Sequence, residues 1–192
     1  MSLRYEHAHA AVAARLSPGA LGHSERVAAT AAGLAAVYGV DEERARVAGV
    51  LHDWHRETSA EELVARSRDA GLEVTEVDAT VPYLLHGPLA ALDLAEVFPD
   101  VDADVLHAIA THTYGGDSLT PLDMVVYVAD VIEPERDHHG VADLRAAVGA
   151  VPLAELFART YQVSLRHLVD RRRRIHRATV STWNRFVVGE HR

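Results

Sequence analysis

The run Ala48-Gly49-Val50-Leu51-His52-Asp53 constrains this chain more than any other stretch, because an apolar segment ends there in an imidazole beside a carboxylate. Burying that pair is costly unless something binds it, and a divalent cation is the usual partner. Upstream, Asp41 supplies an N-cap and Glu42 and Glu43 put negative charge in the first turn, so the run closes a helix. Ala45, Ala48, Gly49 and His52 share one face of that helix, and their small size lets a neighbouring helix approach closely. Four more potential ligands, His23, His86, His112 and Asp130, each fall at or near the end of a predicted helix.

No cysteine occurs in the 192 residues, which leaves histidine, aspartate and glutamate as the only strong metal ligands and excludes disulfides and thiol nucleophiles. This length suits one domain with a core of its own. No apolar run approaches the roughly 20 residues needed to cross a bilayer, and the first residues lack a signal peptide's apolar region. A cytoplasmic location without membrane attachment is therefore predicted. The formal charge is -9 and every basic residue is arginine, so nucleic acid is a disfavoured partner and an anionic substrate must be met by local arginines or by metal. Of the 13 histidines, His7, His9, His138, His139 and His191 lie in terminal or loop-like stretches and read as solvated.

In chain order, residues 4–16 have helical spacing, and Ser17-Pro18 caps and opens a second helix that Gly39 stops. His23 lies on its apolar stripe with Arg26 three residues on. Ser59 to Glu62 opens a short helix that Gly71 closes, and residues 72–82 read as an extended loop. Gly87-Pro88 fixes a turn, placing His86 just before the next helix. A helix starting at Asp102 or Asp104 aligns Val105, Ile109 and His112, leaves His107 solvated, and ends at Gly115-Gly116. Thr120-Pro121 with Asp123 then opens a helix that is apolar nearly all round, so Asp130 is a charge inside it and needs a cation, with Arg136 the nearest arginine partner. Beyond Val141, two more helices are predicted, one carrying Leu144 and Val148 and a long one, whole or broken, from about Leu153 to Val187. The arginine block Arg171 to Arg174 is a solvated helix face or a contact for RNA or an acidic partner.

The fold class is thus all-α. The four imidazoles and two carboxylates, His23, His52, Asp53, His86, His112 and Asp130, could hold two divalent ions with Asp53 bridging. Such a donor set suits iron, manganese or zinc better than calcium. A hydroxide held between two cations is a ready nucleophile for in-line hydrolysis of phosphate esters.

At these residues the sequence resembles the HD-domain phosphohydrolase superfamily, and more closely its YqeK-type branch, the symmetrical diadenosine tetraphosphatases of bacteria. The resembling stretches are Leu16-Ser17-Pro18 with His23-Ser24-Glu25-Arg26-Val27, Ala48 to Asp53, Leu84-Leu85-His86-Gly87, His112-Thr113 with Gly115, and Ala129-Asp130-Val131-Ile132-Glu133-Pro134-Glu135-Arg136. The resemblance implies an HD-domain helical bundle over residues 1–150, with metal ligands at helix ends, and a C-terminal helical extension, 151–192, packed on the core or on a second subunit as a homodimer. It implies that His23, His52, Asp53 and Asp130 hold one metal and that His86 and His112 join Asp53 on a second. The centre would be di-iron, with manganese, zinc, cobalt or magnesium as alternatives. The implied reaction is cleavage of diadenosine tetraphosphate into two ADP. Asp53, His52, Arg26 and Arg56 are the catalytic candidates, and Arg26, Arg56, Arg136 and Thr113 the candidates for the phosphate chain. Two departures stand out: Arg56 replaces the branch's usual lysine, and Ala20-Leu21-Gly22 replaces its arginine-aromatic-glutamate before the first histidine. The alternatives are the same chemistry on another mono-, di- or triphosphate nucleotide, or a metal-stabilised binding module.

Overall fold

Side-chain caps set most helix starts, and they are satisfied in the computed structural model, which describes residues 3–187. After α1 (Tyr5–Ala13), α2 (Pro18–Tyr38) begins where the Ser17 hydroxyl accepts from the Ala20 amide and stops at Gly39, whose φ of 70° only glycine adopts freely. Asp41 accepts from the Arg44 amide to open α3 (Glu42–Leu51), and Ser59 accepts from the Glu62 amide to open α4 (Ala60–Asp69). The stretch 72–82 is not the extended loop its weak alternation suggests. Thr75 and Asp78 form a reciprocal capping box that starts a short helix, α5 (Glu76–Thr80), followed by a 3-10 turn over Pro82–Leu85.

His86 is the first residue of α6 (His86–Val97) rather than a residue before a turn, and Pro88 lies in the first turn, where its missing N–H costs no bond. Gly87 therefore makes no turn. Its bare Cα lets the Ile109 carbonyl and the His112 ring come within 2.9 and 3.1 Å of where a Cβ would stand. Then follow α7 (Ala103–Thr111), α8 (Pro121–Ile132), α9 (Val141–Ala147), α10 (Leu153–Asp170), α11 (Arg177–Thr182) and a π-helical turn over Trp183–Val187. The long C-terminal helix is thus broken at Arg171–His176, with Arg172 at a positive φ of 51°. No strand occurs among the described residues, and none of their helices is long and apolar enough to cross a membrane.

α2, α3 and α8 form the centre. The small face of α3 meets α2 so closely that a Cβ on Gly49 would stand 2.7 Å from the Ala28 Cα. α8 is buried nearly all round, as its sequence predicts. The first half of α10 packs on it, with Tyr127 stacked 5.2 Å from Tyr161 and edge-on 5.3 Å from Phe157. Leu156, Phe157 and Tyr161 therefore belong to the same core as α2 and α3. In the second half of α10, from Gln162 to Asp170, no side chain is buried.

Candidate metal centre

Three of the four histidines are aimed by one local device. His52 and His112 follow the last residues of α3 and α7, and His86 follows the 3-10 turn, positions where helix carbonyls lack partners. Each ring turns back to the carbonyl three residues earlier. The Nδ1–H of His52 donates to Gly49 at 2.8 Å, that of His112 to Ile109 at 2.7 Å, and that of His86 to Tyr83 at 2.5 Å. His23, inside α2, donates instead from Nδ1 to Glu133 Oε1 at 3.2 Å. With Nδ1 so occupied, each neutral ring presents the Nε2 lone pair to a common centre.

Around that centre His23 Nε2 is 3.1 Å from Asp130 Oδ1 and 3.5 Å from Asp53 Oδ2. His52 Nε2 is 3.3 Å from Asp53 Oδ2 and His86 Nε2 is 3.1 Å from Asp53 Oδ1, so Asp53 lies between the two histidine groups. The Nε2 atoms of His86 and His112 face each other at 2.9 Å, a repulsive arrangement of lone pairs unless positive charge enters. The Nε2 atoms of His23 and His52 are buried without a hydrogen-bond partner. The donor set therefore fits a divalent cation. Donor atoms within 4.8 Å of one another come from His23, His52 and Asp130, and from His52, Asp53 and His112.

Electrostatics point the same way. Burial opposes charge on Asp53, yet His52 and His86 hold its pKa well below the usual carboxylate range. Burial likewise opposes charge on Asp130, and His23, His52 and Arg136 pull its pKa strongly down. Burial also disfavours an imidazolium at His52, but Asp53 and Asp130 outweigh it and raise the pKa to about 9. Burial together with His86 and His52 pushes His112 down to about 3, leaving it a neutral donor. Two ionised carboxylates thus draw a proton onto His52 where a cation could sit.

The arginines divide. Arg136 Nη2 reaches Asp130 Oδ1 at 2.6 Å, the partnership its position past α8 suggests, and Arg56 pairs with Asp53. Arg26 is occupied by Glu133 at 2.7 Å and Glu135 at 2.8 Å. Thr113 Oγ1 is 3.3 Å from His112 Nε2. A cavity of about 550 Å³ opens beside this centre, with Tyr83, His86, His112, Thr113, Asp130 and Arg136 on its inner wall and α10 opposite; Arg26 and Arg56 do not line it.

Two site residues lie outside the sequence-derived set. Glu133 is buried and fixes both His23 and Arg26; its place three residues after Asp130 on the same helix end was the available signal. Tyr83 stacks on His86 at 4.2 Å and brings its hydroxyl 3.5 Å from Asp53 Oδ1, signalled by its place one turn before His86. Three histidines expected to be solvated have partners. His107 Nδ1 lies 3.0 Å from the buried Asp123, His9 pairs with Glu25 at 2.6 Å, and His138 Nε2 bonds the Val131 carbonyl at 2.9 Å. His7 and His139 are exposed, and His191 lies outside the described residues.

A profile of the HD domain matches residues 20–135, which include all six candidate ligands. The chain belongs to the HD-domain family. Among similar proteins, the symmetrical bis(5'-nucleosyl)-tetraphosphatase of Bacillus subtilis is 30% identical over 96% of this chain and 98% of its own length. The protein of the same name from Staphylococcus aureus is 34% identical over 64% of this chain and 63% of its own length. A crystal structure from Clostridium acetobutylicum, described as a predicted HD superfamily hydrolase involved in NAD metabolism, superposes with a TM-score of 0.87 at 30% identity, covering 97% of this chain and 98% of that one. The fold is therefore shared with that structure along nearly the whole chain.

Proposed function

We propose that this HD-domain protein is a divalent-metal-dependent hydrolase that cuts diadenosine tetraphosphate symmetrically into two molecules of ADP. The observation that carries the metal-dependent chemistry is the convergence of four Nε2 atoms and two ionised carboxylates beside a cavity of about 550 Å³, which His86, His112 and Asp130 line. The substrate rests on similarity to proteins named for that activity. His23, His52, Asp53 and Asp130 would hold one ion, and His86 and His112 with Asp53 a second, iron in both by the resemblance of the sequence. When bound, such ions supply Lewis acidity and lower the pKa of water to near neutrality.

The chain's own residues do the rest. Glu133 and three helix-end carbonyls hold the imidazole rings in one tautomer and orientation, so the donors need no reorganisation on binding. Arg136 and Thr113, on the cavity wall, meet the phosphate chain, and Arg56, paired with Asp53, adds positive charge beside the centre. Arg26 acts through Glu133, as a positioning residue for His23. Water adds to one of the two central phosphorus atoms, the bond from that phosphorus to the bridging oxygen breaks, and ADP leaves with that oxygen. All six candidate ligands lie within residues 1–150, and the first half of α10 adds to the same core.

The test is to purify the protein without oxygen, quantify its metals, and resolve the products formed from diadenosine tetraphosphate. About two irons per chain with ADP as sole product is the expected result. AMP plus ATP would reject symmetrical cleavage, and activity confined to another nucleotide would reject the substrate.

A further inference from the structure

The second half of α10 presents a surface that the metal centre does not use. From Gln162 to Asp170 none of its side chains is buried, yet the helix continues for more than two turns beyond its packed half. It lines the same cavity as Asp130 and Arg136, to which it contributes Leu165, Arg166, His167, Leu168 and Asp170. Half-buried leucines here have no core to enter and face the cavity instead. Among the described residues, Arg166 and His167 have no side-chain hydrogen bond or ion pair, although carboxylates are abundant on the surface. Exposed His139, from the α8–α9 connection, lines the same space, and its side chain is also without a partner.

We propose that this half of α10 is the subsite for one nucleoside half of the substrate, an inference that rests on the hydrolase reading above. The lining carries chemistry for each part of the ligand. Arg136 and Arg166 flank the path of the anionic phosphates, the Leu165 and Leu168 side chains offer an apolar bed to a purine, and Asp170 is suited to accept from ribose hydroxyls. A symmetrical cut places the scissile bond at the metal centre and requires a nucleoside diphosphate on either side of it. The cavity supplies space on the α10 side and is continuous with the inner wall. The helix therefore determines specificity for a second nucleoside as opposed to a bare polyphosphate.

The experiment compares diadenosine tetraphosphate with inorganic tetraphosphate, which lacks both nucleosides, using metal-loaded wild type, Leu168→Glu and Arg166→Ala. Both positions are on the helix surface, so melting temperatures should be unchanged. Leu168→Glu is expected to raise KM for the dinucleotide about tenfold with kcat within about twofold, and to leave the tetraphosphate unaffected. Arg166→Ala is expected to raise KM for both. Calorimetric binding of an uncleavable methylene-bridged dinucleotide should weaken in parallel in Leu168→Glu. If wild type cuts the dinucleotide but Leu168→Glu keeps the wild-type KM and affinity, the subsite is refuted while the activity stands. If wild type cuts neither compound, the hydrolase reading fails and the subsite falls with it.

Discussion

Replacing Gly49 by alanine should destabilise the protein, although the same change ordinarily stabilises a helix. Alanine in a helix interior gains about 0.8–1.0 kcal/mol over glycine. Here the new Cβ would stand 2.7 Å from the Ala28 Cα and 3.0 Å from its nitrogen. Both are backbone atoms with no rotamer that could yield, so α2 and α3 must part by about 0.7 Å to bring the closest contact to 3.4 Å. Overpacking of this kind costs about 1–3 kcal/mol, and a clash with backbone belongs at the upper end. Subtracting the helical gain leaves a net loss of about 2 kcal/mol, which for a chain of this length lowers Tm by about 4–8 °C. Gly33→Ala is the control. It lies on exposed α2 surface with nothing within 4 Å of the added carbon and should raise Tm by about 2–4 °C. Because α2 carries His23 and α3 ends in His52, Gly49→Ala should also lose metal, read by elemental analysis after dialysis. Calorimetric melting decides: a Gly49→Ala protein that melts at or above the wild-type temperature would refute the close-approach argument.

Removing the carboxylate that orients His23 should weaken the centre without touching it directly. Glu133→Ala leaves Arg26 its second partner, Glu135, and is expected to lower metal affinity about 10- to 100-fold in a chelator competition; unchanged affinity would show that His23 needs no fixing. The pKa of about 9 at His52 gives metal uptake a sign. Below pH 9 a proton must leave His52 before the cation binds, so affinity should rise about tenfold per pH unit up to that point and level off above it. A pH-independent affinity between 7 and 9 would place the proton elsewhere.

Much of the fold was legible because its signals are local. The caps at Ser17, Asp41 and Thr120 and the stop at Gly39 are each set by residues no more than four apart, a span that any window of sequence contains. The same kind of signal at Thr75 and Asp78 was outweighed by weak alternation around it, and five residues of helix leave no periodicity to correct that. The candidate donors His52, His86 and His112 were legible as histidines at helix ends, and their backward turn to the carbonyl three residues earlier is local as well.

What the sequence by itself determined is an all-helical chain, its six candidate donors, and the small face of α3 that admits α2. Only the tertiary structure decided which partner each charge takes. Glu133 reaches His23 across 110 residues and claims Arg26, and Asp123 holds His107 rather than leaving it to water. It alone turned the unburied half of α10 into part of the cavity lining. The physical reason is that caps and periodicity act over a turn of helix, whereas side-chain pairing depends on how helices cross, and that geometry is a property of the packed core.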